Sequence, residues 1–177
     1  MSGHNKWSKI KHKKAATDEK KSKEFSRLAQ LISIESKKVG GDENSPALRL
    51  AIEKARTANM PKGNIARAIA KGKSGEADNL EQVVYEAYGP GSVALIIEGY
   101  TDNRNRTGGE VRHALTKQGF ALAEQGAASW AFEKAGDGWR PTTTMGITPE
   151  DKEKLDVLVD VLLELEDVED VFTNANE

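Results

Sequence analysis

The stretch Val83-Val84-Tyr85-Glu86-Ala87-Tyr88-Gly89-Pro90-Gly91-Ser92-Val93-Ala94-Leu95-Ile96-Ile97-Glu98-Gly99-Tyr100 decides the fold class. Val83 to Tyr88 and Val93 to Tyr100 are rich in β-branched and aromatic residues, and a Gly-Pro-Gly cluster separates them. This pattern predicts two strands joined by a tight turn. The Gly89-Pro90-Gly91-Ser92 run is not a phosphate-binding loop, because no Gly-Lys-Ser/Thr follows it and a strand, not a helix, comes next.

Downstream of the hairpin the pattern is mixed. An amphipathic helix is predicted from about Arg104 to Gln118, then short strands around Phe120 to Ala123 and Ala127 to Phe132. In the second strand Ala128, Trp130 and Phe132 alternate with Ser129, Ala131 and Glu133, so one face should stay wet. A Gly136-Asp137-Gly138 turn leads into an extended run, Arg140 to Ile147. Thr148-Pro149-Glu150-Asp151 starts a last helix with Leu155, Leu158, Val159 and Leu162 inward, and Val168 to Thr173 is a final strand. Interleaved strands and helices with tight hairpins indicate an α+β domain with a mostly antiparallel sheet.

Upstream the period changes to that of helices. Thr17 or Asp18 is suited to cap a first helix, in which Phe25, Leu28, Ala29 and Ile32 recur on one face. Gly40-Gly41 ends it, and Ser45-Pro46 opens a second helix whose inward stripe is Leu48, Ala51, Ile52 and Ala55. Met60-Pro61 breaks that helix. Asn64 to Lys71 forms a short third, with Ile65 and Ile69 inward and Gly72 closing it; Gly72 to Asp78 reads as a linker. The expected architecture is α+β: an N-terminal three-helix domain with a basic arm over residues 1–76, followed by a mostly antiparallel α+β domain over residues 77–177. No internal repeat is evident.

The whole chain of 177 residues carries a formal charge of only −2. That near-neutral total hides a division. Residues 1–76 hold 18 Lys and Arg against 8 Asp and Glu, whereas residues 77–177 hold 8 against 20. Such asymmetry points to a polyanionic partner for the basic part, or to mutual attraction between the two parts. The longest aliphatic run, Val93 to Ile97, is far short of a membrane span, and Met1 to Lys6 lacks the apolar stretch of a signal peptide. A cytoplasmic protein is expected. The absence of cysteine excludes disulfides, thiolate zinc sites and cysteine nucleophiles. No cofactor, metal or small-molecule substrate is expected.

The basic charge is densest in His4-Asn5-Lys6-Trp7-Ser8-Lys9-Ile10-Lys11-His12-Lys13-Lys14, which has too few apolar residues for a core and is expected to be an extended arm. Alternation would place Trp7, Lys9, Lys11 and Lys13 on one face. Lysines so spaced can follow a phosphate backbone, and Trp7 is either a stacking platform for bases or a hook to the helices behind it. Lys6, Trp7, Lys9, Lys11, His12, Lys13 and Lys14 are therefore candidate nucleic-acid contacts. Lys20, Lys23 and Arg27 extend the basic surface along the first helix, and Lys62 and Arg67 add to it from the third. In Thr101 to Thr107, Arg104 and Arg106 offer guanidinium forks suited to phosphate at a helix start; the plainer alternative pairs them with Glu98 or Glu110 and makes Asp102 a cap. Enzymatic chemistry finds little support. His4 and His12 are a conceivable acid/base pair on RNA, but catalysis needs positioned groups. His113 reads as a packing or surface residue. Asp156, Asp160 and Glu164 form an acidic stripe on the last helix, most simply a solvated face.

Several of these segments resemble the YebC/PmpR family. They are Gly3 to Trp7 with Ile10 to Ala16, Leu48 to Ala55, Ala58 to Lys62, Tyr88 to Gly91, Thr101 to Thr107 with Glu110 to His113, and Val168 to Asn174. The resemblance implies a helical N-terminal domain, α+β modules after it, and a non-enzymatic role in gene expression. It further implies that an α+β domain usually inserted after the segment matching Trp130 to Glu133 is missing, since Lys134 to Gly138 leads directly to Trp139. Members are described as DNA-binding transcriptional regulators, and some resemble ribosome-associated translation factors. Two readings follow. In one, the second and third helices form a helix-turn-helix, with Lys62, Asn64, Arg67 and Lys71 probing duplex DNA. In the other, favoured by the lysine arm with its single tryptophan, the chain is a translation factor bound to RNA or the ribosome.

Overall fold

The computed structural model describes residues 18–136 and 138–176, with side chains from Lys21 onward. It is α+β and divides into two compact units. A helical unit runs to Gln82 and takes in Tyr100–Asn103; a sheet unit comprises Val83–Gly99 and the chain from Arg104 onward.

The helical unit consists of α1 (Asp18–Lys38), α2 (Pro46–Thr57) and α3 (Lys62–Lys73). Leu28, Leu31 and Ile32 of α1, the predicted stripe Leu48, Ala51, Ile52 and Ala55 of α2, and Ile65 and Ala68 of α3 form one buried cluster with Met60 and Tyr100. Phe25, Ala29 and Ile69 are only partly buried at its margin. At the end of α1 the chain reverses through Gly40 and Gly41, both at positive φ. There the Gly41 N–H donates to the Ser36 carbonyl at 2.8 Å, a closure that glycine adopts without a Cβ penalty.

Gly72 does not close α3, as the sequence suggested; the helix continues to Lys73. The reason lies across the interface. A Cβ at Gly72 would stand 2.4 Å from the Ser33 carbonyl oxygen and 2.6 Å from the Ser36 Cβ. Ser33 Oγ donates to the Ala68 carbonyl at 3.0 Å, and Ser36 Oγ to the Ile69 carbonyl at 2.7 Å. Small residues let α1 and α3 approach closely enough for side-chain hydroxyls to bind the facing backbone. The linker reading of Gly72 to Asp78 fails for the same unit: Ala77 is fully buried, and Lys37 Nζ donates to the Asp78 carbonyl at 3.0 Å.

The sheet unit is built on a four-stranded sheet of order β3-β1-β2-β6, made from β1 (Glu81–Tyr88), β2 (Ala94–Thr101), β3 (Leu122–Ala123) and β6 (Val168–Thr173). β3 runs antiparallel to β1 and β6 antiparallel to β2. α4 (Arg104–Lys117) and α5 (Pro149–Leu163) cover one face. Their Val111, Leu115, Leu155, Leu158 and Leu162 are buried with Leu95, Ile97 and Val171. Thr148 caps α5, its hydroxyl accepting from the Asp151 N–H at 3.1 Å. The opposite face of the sheet carries Ala94, Ile96 and Phe172, which are packed with Ala128, Ala131 and Phe132. A hairpin of β4 (Phe132–Ala135) and β5 (Gly138–Pro141) follows that segment.

Two strand assignments move. The segment predicted as a strand from Ala127 to Phe132 contains a 3-10 turn at Ser129–Ala131, and its strand begins only at Phe132. The turn breaks the expected two-residue alternation: Ala128, Ala131 and Phe132 are buried and Trp130 is 58 % exposed. The extended run predicted from Arg140 to Ile147 keeps strand pairing only to Pro141, apart from a single bridge between Met145 and Ala175.

Candidate nucleic-acid interface

Between Pro46 and Lys73 the sequence places seven basic residues against one acid, Glu53. In the folded helical unit Arg49, Arg56, Lys62, Arg67, Lys71 and Lys73 are exposed. Arg67 donates to the Asn64 side-chain carbonyl within α3. Among the described residues, Arg49, Arg56, Lys62, Lys71 and Lys73 make no ion pair. On α2 Glu53 stands one turn from both Arg49 and Arg56, whereas α3 carries no acid to offset Lys62, Lys71 and Lys73. By contrast Lys37 pairs with Asp78 at 3.3 Å and Lys38 with Glu35 at 2.7 Å. Leu50 on α2 is 41 % exposed.

The remaining candidates divide between the units. Lys6, Trp7, Lys9, Lys11, His12, Lys13 and Lys14 lie outside the described residues, as do His4 and the Lys20 side chain. Lys23 is exposed and Arg27 half-buried on α1; Lys62 and Arg67 share α3. Arg104 and Arg106 belong to the sheet unit. Arg106 is bound inward: its guanidinium donates to Asp167 Oδ2 at 2.7 Å, and the same oxygen accepts from Thr107 Oγ1 at 2.6 Å. Asp167 is buried. Its carboxylate, contributed from the end of α5's connection to β6, joins the start of α4 to a distant part of the chain. Glu98, one of the acids expected near these arginines, pairs with Lys134 at 3.0 Å. Arg49, Arg56 and Lys73 were not singled out in the sequence, although the charge count between Pro46 and Lys73 contains the signal.

The geometry offers little for catalysis. His113 is exposed on α4, and the described residues hold no cluster of His, Asp or Glu able to bind a metal ion. The best-organised carboxylate is structural. Glu86 on β1 is buried, and burial pushes its pKa up, but this is outweighed by accepted hydrogen bonds that leave it below the usual carboxylate range. Oε1 accepts from the Gly126 N–H at 2.8 Å, and Oε2 from Ala128 and Ser129 at 2.7 and 2.8 Å. The Ser129 side chain adds a further bond. This carboxylate thus fixes the loop that presents Trp130, whose Nε1 donates to the Tyr88 hydroxyl at 2.9 Å.

With the geometry in place, comparison with known proteins gives a consistent result. Residues 5–75 match the model of the TACO1/YebC protein N-terminal domain, and residues 80–137 match that of the TACO1/YebC second and third domain. The chain belongs to the TACO1/YebC family. A probable transcriptional regulatory protein of Petrotoga mobilis is 54 % identical over 138 residues, covering 77 % of this chain and 55 % of that protein. One of the same description from Chloroherpeton thalassium is 52 % identical over 139 residues, with the same coverage of both chains. The chain thus spans about half the length of these curated relatives, which agrees with a shortened form. The crystal structure of a conserved hypothetical protein from Aquifex aeolicus superposes with a TM-score of 0.82 at 33 % identity, covering 94 % of this chain and 95 % of that one. Among the described residues no helix is long and apolar enough to cross a membrane.

Proposed function

We propose that this chain is a non-enzymatic regulator of transcription that binds duplex DNA through its basic N-terminal part. One observation carries the reading. The helical unit exposes Arg49, Arg56, Lys62, Lys71 and Lys73 without an ion pair to any described residue, which is what a surface built to exchange counterions for phosphates requires. The naming of the relatives as probable transcriptional regulatory proteins supports DNA as the target. The lysine arm, with five lysines and no acid in residues 1–17, adds charge on the same side of the sequence.

A second reading rests on that arm. Lysines interleaved with Trp7 suit single-stranded or folded RNA, where an indole can stack on a base, and this favours a ribosome-associated translation factor. The two readings separate in one experiment: the purified chain is sedimented with ribosomes at physiological salt in the presence of excess duplex DNA. Partition to the DNA is expected. Retention on ribosomes would replace transcription with translation, and failure to bind either would end the nucleic-acid reading. Replacing Lys62, Arg67, Lys71 and Lys73 with alanine is expected to lower the salt dependence of binding by about three to four slope units if all four reach phosphates. An unchanged slope would take α3 out of the interface.

A further inference from the structure

The exposed surface of α3 has an internal order that its charge count does not convey. At about 100° per residue, Lys62 and Lys73 fall along one edge of the exposed arc, and Arg67 and Lys71 along the other, roughly half a turn away. Between the two edges lie Gly63, Ala66 and Ala70, all exposed. A Cβ at Gly63 would be in ordinary contact with the Arg67 guanidinium, at 3.9 Å, so the floor has only small side chains of its own and Arg67 leans over its Gly63 end. The opposite arc is committed to the unit's core through Ile65, Ala68 and Gly72. The one amide near the arc, Asn64, is half-buried and accepts from Arg67. α3 contains no acidic residue.

We infer that α3 enters the major groove of B-form DNA, with its two cationic edges on the phosphates of the two strands and its bare floor toward the bases, so that it senses groove shape and not sequence. The inference rests on the nucleic-acid reading above and specifies its mode. The cationic edges carry it. An α-helix with side chains is about 10–12 Å across, and the B-form major groove is about 12 Å wide, so the edges face opposite walls. Lys62 and Lys73 are separated by about 16 Å along the axis at 1.5 Å per residue, a span that covers more than one phosphate. Base readout needs donors and acceptors at the helix centre; glycine and two alanines supply none there. A-form RNA excludes this arrangement because its major groove is deep and narrow.

The test measures binding by fluorescence anisotropy to labelled duplex DNA about two helical turns long, AT-rich and GC-rich, to duplex RNA, and to single-stranded DNA. Wild type is compared with a variant carrying Ala66→Leu and Ala70→Leu. Both positions are exposed and leucine is a good helix former, so the fold is checked by circular dichroism and expected to be unchanged. The leucines would hold α3 off the groove floor and break roughly two phosphate contacts. Duplex-DNA affinity is then expected to fall about tenfold and the salt slope by about one to two units, equally on AT-rich and GC-rich probes. Single-strand affinity should not change. An unchanged duplex affinity in the leucine variant would overturn the groove mode while leaving nucleic-acid binding intact. Tighter binding of duplex RNA than duplex DNA, or a hundredfold sequence preference, would overturn it as well. If wild type bound none of the probes, the functional reading itself would fall, and this inference with it.

Discussion

In the sheet unit four basic side chains hold carboxylates, although Arg112 and Lys117 hold none among the described residues: Arg106 binds Asp167, Lys134 binds Glu98, Arg140 binds Glu133 and Lys154 binds Glu150. In the helical unit Arg49, Arg56, Lys62, Lys71 and Lys73 hold none among the described residues. The sheet unit uses its charges as internal struts, two of them with the carboxylate buried. The helical unit is tied by hydroxyl-to-backbone bonds between α1 and α3 and leaves these five cations outward. A charge that closes a fold is unavailable to a partner, and one that is left open contributes little to folding.

The contrast predicts a graded set of stability effects. The largest is expected from Gly72→Val, which drives a side chain into the α1 backbone at the Ser33 carbonyl; overpacking typically costs about 1–3 kcal/mol, and a clash with rigid backbone belongs at or above the upper end of that range. Thermal unfolding followed by circular dichroism should show the loss, and a variant as stable as wild type would mean that α1 and α3 do not depend on their close approach.

Next is Glu86→Ala, which leaves three backbone N–H groups of the 126–129 loop without their acceptor. A loss of about 2–3 kcal/mol is expected for a buried charged acceptor. The pH dependence has a definite sign. Because the folded-state pKa of Glu86 lies below its ordinary value, its contribution is complete above the ordinary carboxylate pKa and is lost as pH falls through the depressed one. Urea midpoints of wild type should therefore decline in acid, and those of Glu86→Gln should decline less. Equal slopes would remove Glu86 from the acid response.

The smallest effect is expected at Lys154, which is fully exposed and pairs with Glu150 one helical turn away on α5; the pairing raises the Lys154 pKa and lowers that of Glu150. Exposed pairs of this kind are screened by solvent and salt. Lys154→Ala should leave the unfolding midpoint unmoved, and a clear shift would show that the sheet unit depends on its surface pairs as well as its buried ones.

The sequence made the period of buried residues legible wherever one face packs evenly. Leu48, Ala51, Ile52 and Ala55 on α2, and Leu155, Leu158, Val159 and Leu162 on α5, are all buried as predicted. It misled where a local irregularity or a distant partner decides the outcome. The alternation expected from Ala128 to Glu133 is broken because a 3-10 turn at Ser129–Ala131 shifts the phase. Gly72 looked like a helix end because its reason, the backbone of α1, is more than thirty residues away in the chain. Glu86 and Asp167 were passed over since nothing adjacent to them in sequence reveals the amides and the arginine they bind. The candidate interface was legible as composition, through the charge count, but its arrangement into two edges and a floor needed α3's boundaries and the knowledge of which arc is buried.

The hairpin of β4 and β5 bears on how this architecture can be altered. Ala135 and Gly138 are paired partners across it, so the chain leaves the body of the sheet unit and returns within one strand spacing, about 5 Å. A folded module whose own ends lie close together could be spliced in or removed at that tip without changing the register of any other strand. The tip is thus a natural graft point, suited to carrying a reporter or a second binding module.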